Sequence, residues 1–338
     1  MKRKNIISLI VIFMIILSFS GCANESKGNV VTSDVKKEEK LKDDKINSYI
    51  EEGSKLLGEK KFDEAKSAFQ KAILEDKSNK DTYIKIKDKY MENQRMDDAY
   101  QIINLAVKNN VDTENMKKIS SDIKSKFEVP IIEQKAYEYG KYSLPSSVKM
   151  KINNEEKQVN VVWNNPKVDT TKVKVKKYTG KVQGYDREVQ LNLNILPVKT
   201  VKKTVYAMGT YIKNNRRYLK TKEVEFFRDT DEDMDIAERM AIQDGHSDYI
   251  VDGGIDDGYY IRDFNKPIKV YEIAPNADIS VCAYMVNSRA SDLVGQNKIS
   301  YETFSKLNND EHNKILSYIY LKNGVIVKYE QQYLPWIK

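Results

Sequence analysis

Side chains that commonly do covalent or metal chemistry are scarce in this 338-residue chain, which holds two cysteines and two histidines. Cys282 sits in the alternating run Ile279-Ser-Val-Cys-Ala-Tyr284 and reads as a small hydrophobe packed within a strand. His246 and His312 stand in polar surroundings, so a nucleophilic Cys–His pair has no local signature. A zinc site needs several nitrogen and sulfur ligands, and the material for one is missing. Carboxylates are plentiful instead. The run Asp229-Thr-Asp-Glu-Asp-Met-Asp235 begins like a calcium loop, with alternate aspartates. Met234 then stands where that loop needs glycine, and Met240 where it needs a bidentate glutamate. The run reads better as the start of a helix, with Asp231 or Asp233 as the cap. A second acidic stretch holds Asp244, Asp248, Asp252, Asp256, Asp257 and Asp263 among Gly245, Gly253, Gly254 and Gly258. It reads as a solvated loop in which aspartate and glycine satisfy turns. Weak calcium binding through oxygen and a glycosidase-type acid and nucleophile are the sharper alternatives. Phosphate-binding glycine loops, Gly-x-Ser-x-Gly and His-Glu-x-x-His are absent. The expectation is a non-enzyme with no catalytic residue, no cofactor and no metal.

The N-terminus holds the remaining cysteine. Lys2, Arg3 and Lys4 precede an apolar run from Ile6 to Phe19, too short for the ~20 residues that cross a bilayer. Ser20-Gly21 supplies small residues before Cys22, so residues 1–21 read as a secretory signal. Phe-Ser-Gly-Cys22 resembles the bacterial lipobox, which implies that the Cys22 thiol takes a diacylglyceryl group and becomes the mature N-terminus. The expected location is the extracytoplasmic face of the cell membrane. Cys22→Ser is then expected to release or mislocalise the protein.

Loss of Lys2, Arg3 and Lys4 takes 57 basic residues to 54 against 50 acidic ones, a net charge of +4. With no clustered basic face, nucleic acid is not an expected partner. Residues 22–45 form a charged segment with six acidic and six basic side chains and no apolar period, which predicts a disordered tether.

Residues 46–127 contain an internal repeat. A shift of 34 residues superposes Tyr49 on Tyr83, Phe62 on Met96, Asp63 on Asp97, Ala65 on Ala99, Phe69 on Ile103 and Ala72 on Ala106. That period, with small residues where helices would meet and larger ones to fill the layer, is similar to the tetratricopeptide repeat. The resemblance implies two helical hairpins. Met116, Ile119, Ile123 and Phe127 predict a further capping helix. The inward stretches Ile50, Ser54, Leu57 and Ile84, Asp88, Met91 lack the Lys and Asn of a carboxylate-gripping groove, which favours a packing surface for a partner protein or a neighbouring domain.

Pro130 ends the helical region, and from there the apolar period falls to two. Val148, Met150 and Ile152 alternate with lysines, Asn153-Asn154 makes a turn, and Val159, Val161 and Trp163 return. Short strands with frequent turns read as a β-sandwich over residues 128–198. Leu144-Pro-Ser-Ser-Val-Lys-Met-Lys-Ile152, Val159-Asn-Val-Val-Trp163 and Gly180-Lys-Val-Gln-Gly-Tyr185 resemble the bacterial immunoglobulin-like family, group 4. The resemblance implies a spacer or adhesion module, with Trp163 as core rather than as a sugar platform.

Residues 199–338 predict a small α+β domain, rich in strands and compatible with a partly closed barrel carrying one helix. Strands are expected over 201–212 and 218–227, joined by Asn214-Asn215, and at 259–262, 268–273, 279–285 and 315–333. The helix is expected over 231–245, and Asn323-Gly324 is a strong hairpin turn. Gly258-Tyr-Tyr-Ile-Arg262 and the segment ending Glu330-Gln-Gln-Tyr-Leu-Pro335 resemble C-terminal modules of secreted Gram-positive proteins, a likeness that implies no activity. Taken together, the fold expected is helical tetratricopeptide repeats, an all-β Ig-like sandwich and a β-rich terminal domain. The function expected is display of interaction modules to an envelope protein or polymer, with membrane attachment through the N-terminal lipid. The alternatives are a cell-wall-polymer hydrolase and a calcium-dependent adhesin.

Overall fold

The computed structural model describes residues 31–229, 233, 235–251, 254–255, 258–287, 292–309 and 314–334, with 31–36 described through their backbone. Two compact units result. The first runs to Lys126 and takes in Ile152–Glu155; the second holds Phe127–Lys151 and Glu156–Lys338.

In the first unit, α1 (Val31–Gly58) packs on α2 (Phe62–Glu75), α3 (Lys80–Glu92) on α4 (Met96–Lys108), and α5 (Thr113–Ser125) on α4. The residues related by the 34-residue shift do the same work twice. Ala65 and Ala99, Phe69 and Ile103, and Ala72 and Ala106 are all fully buried. The turns repeat as well. Lys60 and Gln94 are both left-handed, with φ of 59° and 58°. Lys60 N–H bonds to Leu57 O and Lys61 N–H to Leu56 O, while Gln94 bonds to Met91 O and Arg95 to Tyr90 O. These bonds close each helix before the chain reverses. Within the same unit the Asn153 side chain accepts the Asp98 N–H at 3.1 Å, which caps α4, and the Asn153 N–H reaches Asp97 Oδ2 at 2.7 Å. The residue before α4, Arg95, has no side-chain oxygen to offer as a cap.

The expected disordered tether is corrected over 31–45, which forms the start of α1; residues 22–30 lie outside the described set. Composition misleads here because the segment lacks Gly and Pro and is full of Lys, Glu and Asp. Lys and Glu are good helix formers, and a helix already nucleated by the packed half of α1 propagates backwards at little cost. Lys42 and Lys45 then pair with Asp76 (2.9 Å) and Glu75 (2.7 Å) at the C-terminal end of α2.

Asp76 makes this region acid-sensitive. Its carboxylate accepts from Ser78 Oγ (2.6 Å), Lys42 Nζ and the Ser78 N–H. The Ser78 hydroxyl, followed by Lys42, lowers its pKa to about 2. A pKa below the ordinary carboxylate value adds stability above about pH 4, and that stability is lost as pH falls through about 2. Thermal denaturation of the helical unit should therefore lose on the order of 1 kcal/mol across that window, the exposure of Lys42 limiting the effect. Asp76→Asn should flatten the same part of the curve; an unchanged acid limb in that variant would remove the assignment.

The second unit opens with β1 (Ile131–Tyr137), β2 (Ser147–Ile152), β3 (Glu155–Trp163), β4 (Val175–Val182) and β5 (Glu188–Leu196). They form one hydrogen-bonded sheet in the order β1-β5-β4-β3-β2, with β1 parallel to β5. Val148, Met150, Ile152, Val159, Val161, Trp163, Val182, Val189, Leu191, Leu193 and Ile195 are buried at alternate positions, as the period of two requires. Gly180 faces the indole: a Cβ there would lie 2.5 Å from Val161 Cγ1 and 3.0 Å from Trp163 Cε3.

A closed barrel follows. β6 (Val201–Lys213), β7 (Arg216–Glu223), β12 (Lys269–Cys282), β15 (Val325–Gln331) and β14 (Ile315–Lys322) hydrogen-bond in the ring β12-β15-β14-β6-β7-β12, so the expected partial closure is complete. β13 (Gln296–Lys298) extends β12 on the side. The two expected strands 268–273 and 279–285 are one long strand ending at Cys282, followed by the short helix α7 (Ala283–Val286). The strand absorbs Pro275 as an irregularity between Ile273 and Asp278. The barrel core is closed by α8 (Tyr301–Leu307), a helix the apolar pattern did not announce, through Tyr301 and Phe304. Ser300 caps it by accepting the Thr303 N–H at 3.2 Å.

The helix expected over 231–245 is shorter, α6 (Ile236–Gln243). It packs away from the barrel core in its own cluster, on the ladder of β8 (Glu225–Arg228) with β11 (Tyr259–Arg262), and near the small pair β9 (Ile250–Val251) and β10 (Gly254–Ile255).

Candidate functional site

The cluster under α6 is where the second unit concentrates aromatic and charged side chains. Phe227 of β8 stacks on Tyr260 of β11 at 6.5 Å between ring centroids. Tyr260 lies 6.1 Å from Tyr249, which in turn stacks on His246 at 5.2 Å. Arg262 braces this layer. Its guanidinium stands 5.1 Å from the Phe227 ring centre and donates to Asp244 (2.8 Å) and Glu225 (3.1 Å). Asp244 also accepts the Tyr260 hydroxyl at 2.9 Å. The Arg262 bond, against a smaller cost of burial, holds the Asp244 carboxyl below its ordinary range. Burial, with the bond to Asp244 second, pushes the Tyr260 phenol up to about 12.

A cleft of about 380 Å³ opens beside this layer, lined by Asp248, Tyr249, Val251, Ile255, Tyr259, Tyr260 and Ile261. Tyr249 and Val251 are about half exposed at its rim. Aromatic faces beside a carboxylate suit recognition of a flat or amphipathic group. Among the described lining residues Asp248 is the one carboxylate. Tyr249, Tyr260 and Arg262 were not singled out as site residues from sequence. The Gly258-Tyr-Tyr-Ile-Arg262 segment was the available signal, but nothing in its spacing said that α6 would fold over it.

The acidic run 229–235 does structural work where it is described. Asp229 Oδ1 accepts the Ala237 N–H at 3.0 Å and so caps α6, a role expected of Asp231 or Asp233. Asp233 and Asp235 both pair with Arg239. Asp231, Glu232 and Met234, and likewise Asp252, Asp256 and Asp257 of the second acidic stretch, lie outside the described residues. Among the described residues, no three His, Cys, Asp or Glu side chains cluster in a way that could hold a metal ion. Cys282 is fully buried, and burial pushes its thiol up to about 11, far from a reactive thiolate. Its polar neighbours are Gln296 and Gln331. His246 lies beside Asp248, and His312 is outside the described residues. Trp163 is buried and donates Nε1–H to Pro145 O at 2.7 Å, so it is core.

On the helical repeats, Ile50 and Leu57 are consumed by the core, while Ser54, Ile84, Asp88 and Met91 stay half-buried. Cys22 and the signal-like segment 1–21 lie outside the described residues, and no helix among those described is long and apolar enough to cross a membrane.

Comparison with known proteins agrees with two of the three modules. The family model "Tetratricopeptide repeat" matches residues 56–123, and "Bacterial Ig-like domain (group 4)" matches residues 128–185. No curated protein and no solved structure matches the chain. The chain thus carries tetratricopeptide repeats and a bacterial Ig-like module, both of kinds suited to protein–protein contact, followed by a β-barrel domain.

Proposed function

We propose that the protein is a non-enzymatic, lipid-anchored component of the bacterial envelope that presents interaction modules to an envelope protein or polymer. The observation that carries this reading is the series of modules behind Cys22: repeats, an Ig-like sheet, and a barrel domain bearing the aromatic cleft. The lipid would fix the location, and the modules would supply contact. The cleft's lining supports binding: aromatic faces with one carboxylate, Asp248, among the described residues suit recognition of a ligand, whereas a glycosidase site needs two facing carboxyl groups.

Metabolic labelling with fatty acid, followed by fractionation, tests the anchor. The wild-type chain should carry label and sediment with membranes. Cys22→Ser should lose the label and leave the membrane fraction or be mislocalised, with unchanged circular dichroism. An unlabelled wild-type chain, or a Cys22→Ser chain that keeps the label, refutes the proposal.

A further inference from the structure

The Ig-like sheet has two open edges, β1 and β2, and their charge patterns differ. β2 exposes Lys149 and Lys151, like charges of the sort that guard an edge against pairing. β1 exposes Glu133 and Lys135, opposite charges placed symmetrically about Gln134. Beyond them stand Ile131 and Tyr137, two large apolar side chains 60% and 59% exposed. From this arrangement we infer that β1 is a self-complementary edge at which a second copy of this chain adds its own β1, antiparallel, about a two-fold axis through Gln134.

Backbone geometry fits that register. Pro130 O accepts from Gln190 N–H and Glu138 N–H donates to Leu196 O, so even-numbered residues bond inward to β5. Alternation then turns the N–H and C=O of Ile131, Glu133, Lys135 and Tyr137 outward. A two-fold axis at Gln134 sets Glu133 opposite Lys135 of the other copy, and Ile131 opposite its Tyr137. All of these are outward-bonding residues, as an antiparallel ladder requires. Sliding the register by two residues in either direction would set Glu133 against Glu133 or Lys135 against Lys135, which like-charge repulsion opposes. Charge therefore selects one register. Two groups are partly engaged already. Tyr137 O accepts the Gly140 N–H at 2.8 Å, and Glu133 Oε1 accepts from Asn192 Nδ2 at 2.6 Å. The second Glu133 oxygen is left for the partner, and Lys135 has no ion pair among the described residues. The contact is isologous, so it closes as a dimer.

The test uses the full chain in membranes. At the axis the two Gln134 residues form a non-hydrogen-bonded pair, with Cα atoms about 4.5 Å apart, inside the disulfide range. Gln134→Cys should give a disulfide-linked dimer on non-reducing gels, whereas Lys149→Cys on the β2 edge should not; the buried Cys282 stays silent. In the Gln134→Cys background, Glu133→Lys or Lys135→Glu should lower the dimer yield about tenfold, because each places two like-charge pairs across the axis. The double reversal, Glu133→Lys with Lys135→Glu, restores both pairs and should restore the yield. Absence of a Gln134→Cys dimer overturns the inference, and so do single reversals that cross-link as well as the parent. A double reversal that stays at the level of the singles does so too.

Discussion

Replacement of Tyr329 by alanine should cost the barrel domain about 3–5 kcal/mol, the range for emptying a large aromatic site in a core. Tyr329 lies on β15, the strand between β12 and β14, and is fully enclosed. Its ring packs at 4.6 Å from Phe304, the side chain by which α8 closes the barrel. Its hydroxyl meets Ser317 Oγ at 2.6 Å. The alanine variant removes both contacts and leaves Phe304 facing a void that the closed strand ring cannot collapse to fill. In thermal unfolding the transition should fall by roughly 10–15 °C. Tyr329→Phe keeps the packing and loses only the hydrogen bond, so it should cost about 1 kcal/mol. Equal costs for the two variants would show that packing on Phe304 is not what holds α8 in place.

The second large effect belongs to the helical unit. A Cβ built on Gly53 would lie 2.5 Å from Phe69 Cε1 and 2.7 Å from Cδ1. Phe69 cannot yield freely, because it is fully buried and meets Tyr90 edge-on at 5.0 Å. Gly53→Val should therefore destabilise the unit by about 3 kcal/mol, overpacking outweighing the helix propensity gained over glycine. Gly58 ends the same helix with nothing within 4 Å of its would-be Cβ, so Gly58→Ala should be neutral or gain up to about 1 kcal/mol. Adding Phe69→Leu to Gly53→Val should recover at least about 1 kcal/mol if the clash is with that ring. Strict additivity of the two substitutions would place the damage elsewhere.

What could be read from the sequence was set by local rules. The hairpin turns at Asn153-Asn154, Asn214-Asn215 and Asn323-Gly324 were each marked by residues that tolerate the left-handed region, and all six have positive φ. The 34-residue repeat was legible because small residues must recur wherever helices touch. Elements decided by long-range packing were harder to see. α8 is only seven residues long, too short for a helical period, and exists because Tyr301 and Phe304 fill the barrel core. The aromatic layer of Phe227, Tyr249 and Tyr260 joins three separate segments, 22 and 11 residues apart, and no spacing rule connects them. In the opposite direction, composition promised a coil over residues 31–45, where helix propensity and a nucleated neighbour prevailed.

That last feature changes what the N-terminal segment transmits. A coil forgets its direction within a few residues and works as a leash. A helix keeps its heading along its length at about 1.5 Å per residue, so residues 31–45 hold one direction over roughly 22 Å. Because the same helix continues without a break into the packed half of α1, that direction is shared with the repeats. Anything that grips the chain just upstream of Val31 would steer the helical unit, not merely tie it down.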